Sequence, residues 1–135
     1  MNSSIKLQNI LIMEDTLISR KVITQVFKYI LPLATVSEFV FSKEERFEHM
    51  IEKNHYDLVA LDGDLSTKWL SWGDLANGKN LIPIIKQKSP KTLVLAMSNE
   101  FTSNQEMIVS GADFSILKTD ISKDINLLKK VLHLI

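Results

Sequence analysis

Short unbroken apolar runs alternate along the chain with longer stretches in which apolar residues recur every three or four positions. The runs are Ile10-Leu11-Ile12-Met13, Leu58-Val59-Ala60-Leu61, Leu93 to Met97 and Phe114 to Leu117, with a weaker one from Leu33 to Val36. Their length suits strands. Ile18, Val22, Val26 and Ile30, with Ile23 and Phe27 alongside, predict a helix from Thr16 to about Ile30, ended by Pro32. Phe47, Met50 and Ile51 share a face of a second helix, Lys43 to about Asn54. Asn80 is placed to cap a third, running to about Lys88 with Pro83 in its tolerant first turn. Ser103 and Glu106 have capping-box spacing for a short fourth that stops near Gly111. Ile121, Ile125, Leu128, Val131 and Leu132 line a final helix.

The order is βα repeated five times. Strands apolar at every position need cover on both faces, so the expected class is α/β. Three layers, α/β/α, enclose a five-stranded parallel sheet. Right-handed crossovers leave few topologies, of which the flavodoxin-like order 2-1-3-4-5 leads. Ligands of such sheets sit beyond the carboxyl ends of the strands.

Composition narrows the picture. The 135 residues fit one domain, residues 1–135 with a core of about 9–134, and leave little room for a second, so no attached output domain is expected. Apolar residues make up 45%, which excludes a disordered chain. Formal net charge is zero, so neither direct nucleic-acid binding nor a membrane surface is expected. The absence of cysteine removes disulfides, thiolate metal sites and thiol nucleophiles. With no signal peptide and no spanning apolar run, a cytoplasmic protein is expected, monomeric or weakly dimeric. His49, His55 and His133 are scattered without metal-ligand spacing.

The strand ends carry the chemistry. Glu14 and Asp15 follow the first strand, Asp62 ends the third with Asp64 two residues on, Ser98 follows the fourth and Lys118 the fifth. Taken singly, each has an ordinary reading: Asp and Ser as caps or turn residues, Lys as a solvated cation. Together they would surround one crevice. Glu14, Asp15 and Asp62 at close quarters repel, which raises at least one pKa. A hard divalent cation such as Mg2+, which takes oxygen ligands, relieves that repulsion. Asp62 is then a carboxylate nucleophile for phosphorus. Mg2+ and Lys118 would offset charge on the transferring oxygens, and the Ser98 hydroxyl would hydrogen-bond the bound group.

On these residues the chain resembles the response-regulator receiver family, single-domain chemotaxis-type receivers among them. The matching segments are Ile10 to Asp15, Tyr56 to Asp62, Leu93 to Ser98 and Gly111 to Lys118, and the likeness runs from about Asn9 to Leu134. The resemblance implies Asp62 as phosphoacceptor, Glu14 and Asp15 as the metal-binding pair, and the backbone carbonyl of Asp64 as a further Mg2+ ligand. It implies Ser98 as the switch hydroxyl and Lys118 as the phosphate-sensing lysine. It also implies two-component phosphorelay signalling. A histidine kinase or histidine phosphotransfer protein donates the phosphoryl group, and a downstream protein is contacted near the fourth and fifth helices. Such a domain is not an enzyme beyond its own phosphorylation and dephosphorylation.

Four features depart from the family. Ser115 stands where an aromatic switch residue is usual, which puts aromatic coupling in doubt. Thr119 stands where a cis proline usually follows the lysine. Since a cis bond to a non-proline costs roughly 2.5–4 kcal/mol, the expectation is a reshaped trans loop or a strained one. Asn99 replaces a small residue and is expected to narrow access to Asp62. The loop over 63–78 is enlarged and carries Trp69, Leu70, Trp72 and Leu75. It either folds back as a satellite cluster or offers a partner surface or lid.

Two other readings remain. A degenerate receiver would bind partners without phosphorylation. A haloacid-dehalogenase-like phosphatase would use the Asp-x-Asp pair Asp62 and Asp64, although its nucleophile strand should come first in the chain.

Overall fold

The computed structural model describes residues 6–39, 44–65 and 70–135. Lys43, the expected start of the second helix, and Trp69 lie outside them. In chain order the elements are β1 (Asn9–Met13), α1 (Leu17–Ile30), β2 (Thr35–Glu38), α2 (Glu44–Asn54) and β3 (Leu58–Asp62). A 3-10 segment (Leu70–Ala76) precedes α3 (Gly78–Lys88), β4 (Leu93–Ser98), α4 (Phe101–Val109) and β5 (Phe114–Leu117). Two short helices, α5 (Lys118–Lys123) and α6 (Ile125–Val131), complete it.

The sheet is parallel throughout, in the order β2-β1-β3-β4-β5. This is the flavodoxin-like arrangement that the alternating pattern predicts. Successive strand residues point to opposite faces, and the core divides accordingly. Leu11, Met13, Val59, Leu61, Val94 and Ala96 pack toward α2 and α3, with Met107 of α4. Ile10, Ile12, Leu58, Ala60, Leu95 and Met97 pack toward α1, α5 and α6. Both faces are covered, so strands without alternation are what burial requires.

Several boundaries differ from expectation. β2 begins two residues later, because Thr35 to Glu38 pair with Asn9 to Ile12 while Leu33 is 99% exposed in a turn. α3 begins before Asn80. Asn77 caps it by accepting from the Lys79 N–H at 3.3 Å, and Pro83 falls inside the helix beyond its first turn. Gly78 at its start is required by close approach, since a Cβ there would meet the Asp62 carbonyl oxygen. Ser103 and Glu106 form no capping box. α4 starts at Phe101, and Glu106 instead pairs with Lys79 of α3 at 2.9 Å. The expected single final helix is two. Asp124 N–H closes α5 on the Asp120 carbonyl, while its side chain accepts from Leu127 N–H at 3.0 Å to cap α6.

The enlarged loop leaves and returns as a pinched stem. Leu65 N–H donates to Ala76 O at 2.8 Å and Gly78 N–H to Gly63 O at 2.9 Å, around a bridge between Asp64 and Asn77. Trp72 is buried, with its ring 6.1 Å from Phe39 and 5.9 Å from Phe47, which stack on each other at 5.8 Å. Trp72 thus folds back onto the domain and joins the main core on the α2–α3 side of the sheet rather than a separate satellite cluster. Such aromatic pairs contribute about 0.5–1.5 kcal/mol beyond area burial.

Candidate functional site

The register brings the strand ends level. Met13 pairs with Leu61, Asp62 with Met97, and Ser98 with Leu117. The residues at or just past these positions are Glu14, Asp15, Asp62, Ser98 and Lys118. Sequence positions as far apart as 14 and 118 therefore meet at one edge.

Glu14, Asp15 and Asp62 are all buried, and one carboxylate oxygen from each lies within 4.8 Å of the others. Lys118 reaches in from the start of α5. Its Nζ is 3.1 Å from Glu14 Oε2 and 3.4 Å from Asp62 Oδ2. The Glu14 Oε1 atom accepts from both the N–H and the hydroxyl of Thr16, each at 3.1 Å. Its Oε2 atom is buried without a directed hydrogen bond, and the Lys118 ammonium faces it as an ion pair. Asp64 is exposed and its carboxylate does not join the cluster; its backbone forms the loop stem.

The electrostatics follow. Burial and then the Glu14 charge push the Asp62 carboxyl up to about 7, with Asp15 adding to the effect and Lys118 opposing it. Burial also acts to raise Glu14, but Asp15, the Thr16 N–H and Lys118 outweigh it and hold that carboxyl below the usual range. Burial works to lower Lys118, and the charges of Asp62 and Glu14 reverse this and hold it above its ordinary value. Lys118 is therefore an ammonium, and without a cation the acids cannot all ionise cheaply at neutral pH.

The donor set consists of hard carboxylate oxygens, and one of them, Glu14 Oε2, is buried without a hydrogen bond. That fits Mg2+ or Ca2+, which take oxygen ligands.

Ser98 is buried, and its Oγ accepts from the Glu100 N–H at 3.1 Å. A Cβ on Gly63, the residue after Asp62, would lie 3.4 Å from the Ser98 Cβ, so Ser98 lies against the residue that follows Asp62. Asn99 accepts from the Thr119 N–H at 2.9 Å and is exposed, so its amide ties two loops together. The Lys118–Thr119 bond is trans, as every described bond is, and Thr119 enters α5 directly. Ser115 is exposed on β5.

Two contributors escape a local reading of the sequence. Arg20 of α1 donates to the Glu14 carbonyl at 3.1 Å and to Glu38 Oε1 at 3.0 Å, bracing the turn that carries the acidic pair. Asn104 of α4 is buried and hydrogen-bonds both groups of the Ser98 backbone. The capping-box pattern drew attention to its neighbour Ser103 instead.

No sequence-family model and no curated protein matches the chain. Solved structures do match in fold. The BeF3-activated DrrB receiver domain aligns with a TM-score of 0.67 at 20% identity, covering 95% of this chain and 99% of that one. The receiver domain of sensor histidine kinase PA1611 from Pseudomonas aeruginosa PAO1, with a magnesium ion in its active-site cleft, aligns at 0.68 and 14% identity. It covers 93% of this chain and 98% of that one. A response regulator from Burkholderia pseudomallei, with a phosphorylated aspartic acid, calcium and citrate, aligns at 0.68 and 13% identity over 92% of this chain. The chain spans 66% of that protein's length. The chain therefore has the receiver-domain fold of response regulators.

Proposed function

We propose that this chain is a receiver of two-component phosphorelay signalling that accepts a phosphoryl group on Asp62. The observation that carries the reading is the meeting of three buried carboxylates with one ammonium at the carboxyl edge of a receiver-type sheet.

The donor is a phosphohistidine on a histidine kinase or phosphotransfer protein. An Asp62 carboxylate oxygen forms the new O–P bond as the P–N bond breaks, and the electron pair leaves on the imidazole nitrogen. Lys118 carries a fixed positive charge to the place where charge accumulates on the phosphoryl oxygens. The Ser98 hydroxyl, whose oxygen already accepts from Glu100, has its proton to donate to the bound group. Mg2+, held by Asp15, Asp62, the Asp64 carbonyl and Glu14 directly or through water, would supply further positive charge against those oxygens. Phe101, Ile108, Val109 and Leu117 are exposed on α4 and the end of β5. They support signalling by protein contact on that side.

The test is intact-mass measurement after incubation with Mg2+ and a small phosphodonor, repeated with a phosphorylated kinase if the first is negative. The wild type should gain one phosphoryl group and Asp62→Asn none. Uptake by neither route, with signalling intact in Asp62→Asn, would favour the degenerate receiver.

A further inference from the structure

The two groups that would grip the phosphoryl oxygens opposite the acidic cluster stand on different strands. Ser98 ends β4, and Lys118 follows β5, which has four residues and, among the described residues, pairs on one side only. The ladder between these strands ends at the pair Ser98 and Leu117. At that end of the ladder and just past it, two asparagine side chains add ties.

Asn104 is 5% exposed in the wall of α4. Its Oδ1 accepts from the Ser98 N–H at 3.0 Å, and its Nδ2 donates to the Ser98 carbonyl at 3.2 Å and the Ile116 carbonyl at 3.0 Å. Both amide protons and one acceptor site are thus used, on two strands at once. Filling that space would not need an amide, and a buried amide without partners is costly. Asn99 adds a second tie, accepting from the Thr119 N–H next to Lys118. Ser115 is exposed and supplies no ring between the strands.

We propose that Asn104, with Asn99 as a second strap, is a positioning residue that holds the Ser98 hydroxyl and the Lys118 ammonium as one unit for the phosphoryl group. A shift of Ser98 toward a bound phosphoryl group then carries the Ile116 carbonyl, and with it the Lys118 loop and α4. This coupling needs no aromatic residue at position 115. The inference rests on the receiver reading above and adds to it the residues that set the grip.

The experiment measures two affinities on folded protein, Mg2+ alone and beryllium fluoride in saturating Mg2+, for wild type, Asn104→Ala and Asn99→Ala. The acids that would hold Mg2+ lie outside the amide straps, whereas the phosphoryl mimic needs Ser98 and Lys118 together. Asn104→Ala should weaken beryllium fluoride binding on the order of 10- to 100-fold, the scale of a misplaced contact group, with Mg2+ affinity unchanged. Asn99→Ala, at an exposed site, should show a smaller loss of the same kind and decides the matter if Asn104→Ala does not fold. Unchanged beryllium fluoride affinity in the folded variants overturns the proposal, and so do parallel losses of both affinities. A wild-type chain that binds Mg2+ but no beryllium fluoride overturns the receiver reading itself, and the positioning role falls with it.

Discussion

The two edges of the sheet both carry aspartates, and they use them in opposite ways. At the amino edge, Asp57 Oδ2 accepts from the backbone N–H groups of Gln8 and Asn9 at 2.8 and 2.9 Å. Asp113 Oδ2 there accepts from Val94 N–H at 2.8 Å and from Lys86 Nζ at 2.6 Å. Each acid meets donors and ties strands together. At the carboxyl edge, Asp62 meets other carboxylates, and Lys118 faces Asp62 and Glu14. Hydrogen-bonded acids stabilise a fold, whereas crowded buried acids hold back free energy until a cation or a new bond relieves them. An aspartate beside a strand is thus structural or chemical according to what faces it.

The largest effect expected from this contrast is on phosphoryl uptake. Lys118→Ala should slow it on the order of 10²- to 10³-fold, as for loss of a preorganised charge donor. Lys86→Ala, at the other edge, should leave the rate unchanged in the same mass-based time course.

Next is the response to Mg2+. A ligand bound only by the native state at a hundredfold excess over its Kd adds about 2.7 kcal/mol. Wild type should gain this in denaturant titrations and Asp15→Asn should lose most of it. Asp57→Asn should keep the full gain.

The third effect is on pH dependence without metal. The Asp62 carboxyl is raised from 3.8 to about 7 in the fold, so between those values the native state binds the proton that the unfolded chain has released. Stability from this group is therefore present below pH 4 and lost as pH rises toward 7. Asp62→Asn should flatten this slope in urea titrations from pH 4 to 8, and saturating Mg2+ should also flatten it in the wild type.

The smallest effect belongs to the amino edge. Asp113→Ala leaves the Val94 N–H without its acceptor and should cost about 1–3 kcal/mol. The loss should be the same with and without Mg2+, with phosphoryl uptake retained.

The sheet and the acidic residues were legible because their signals are local. A buried parallel strand is apolar at every position, and an acid right after such a run stands at the edge where ligands gather. Ser98 and Lys118 were readable for the same reason. Asn104 was not, because its bonds reach backbone groups on β4 and β5 and leave no trace in the spacing around it. The start of α3 was misplaced because Asn77 and Asn80 look alike as caps, and the bridge between Asp64 and Asn77 decides between them. The break at Asp124 was hidden by apolar residues that keep helical spacing on both sides of it. Trp72 could be assigned to the core only once Phe39 and Phe47 were beside it in space.

The central claim separates two aspartates that flank the same strand, Asp57 before Leu58 and Asp62 at its end. Fragment mass mapping of the phosphorylated protein, after incubation with Mg2+ and a phosphodonor, reads that separation directly. The account predicts the phosphoryl group on Asp62 and none on Asp57. Phosphate found on Asp57, or retained on the chain after Asp62→Asn, would contradict it.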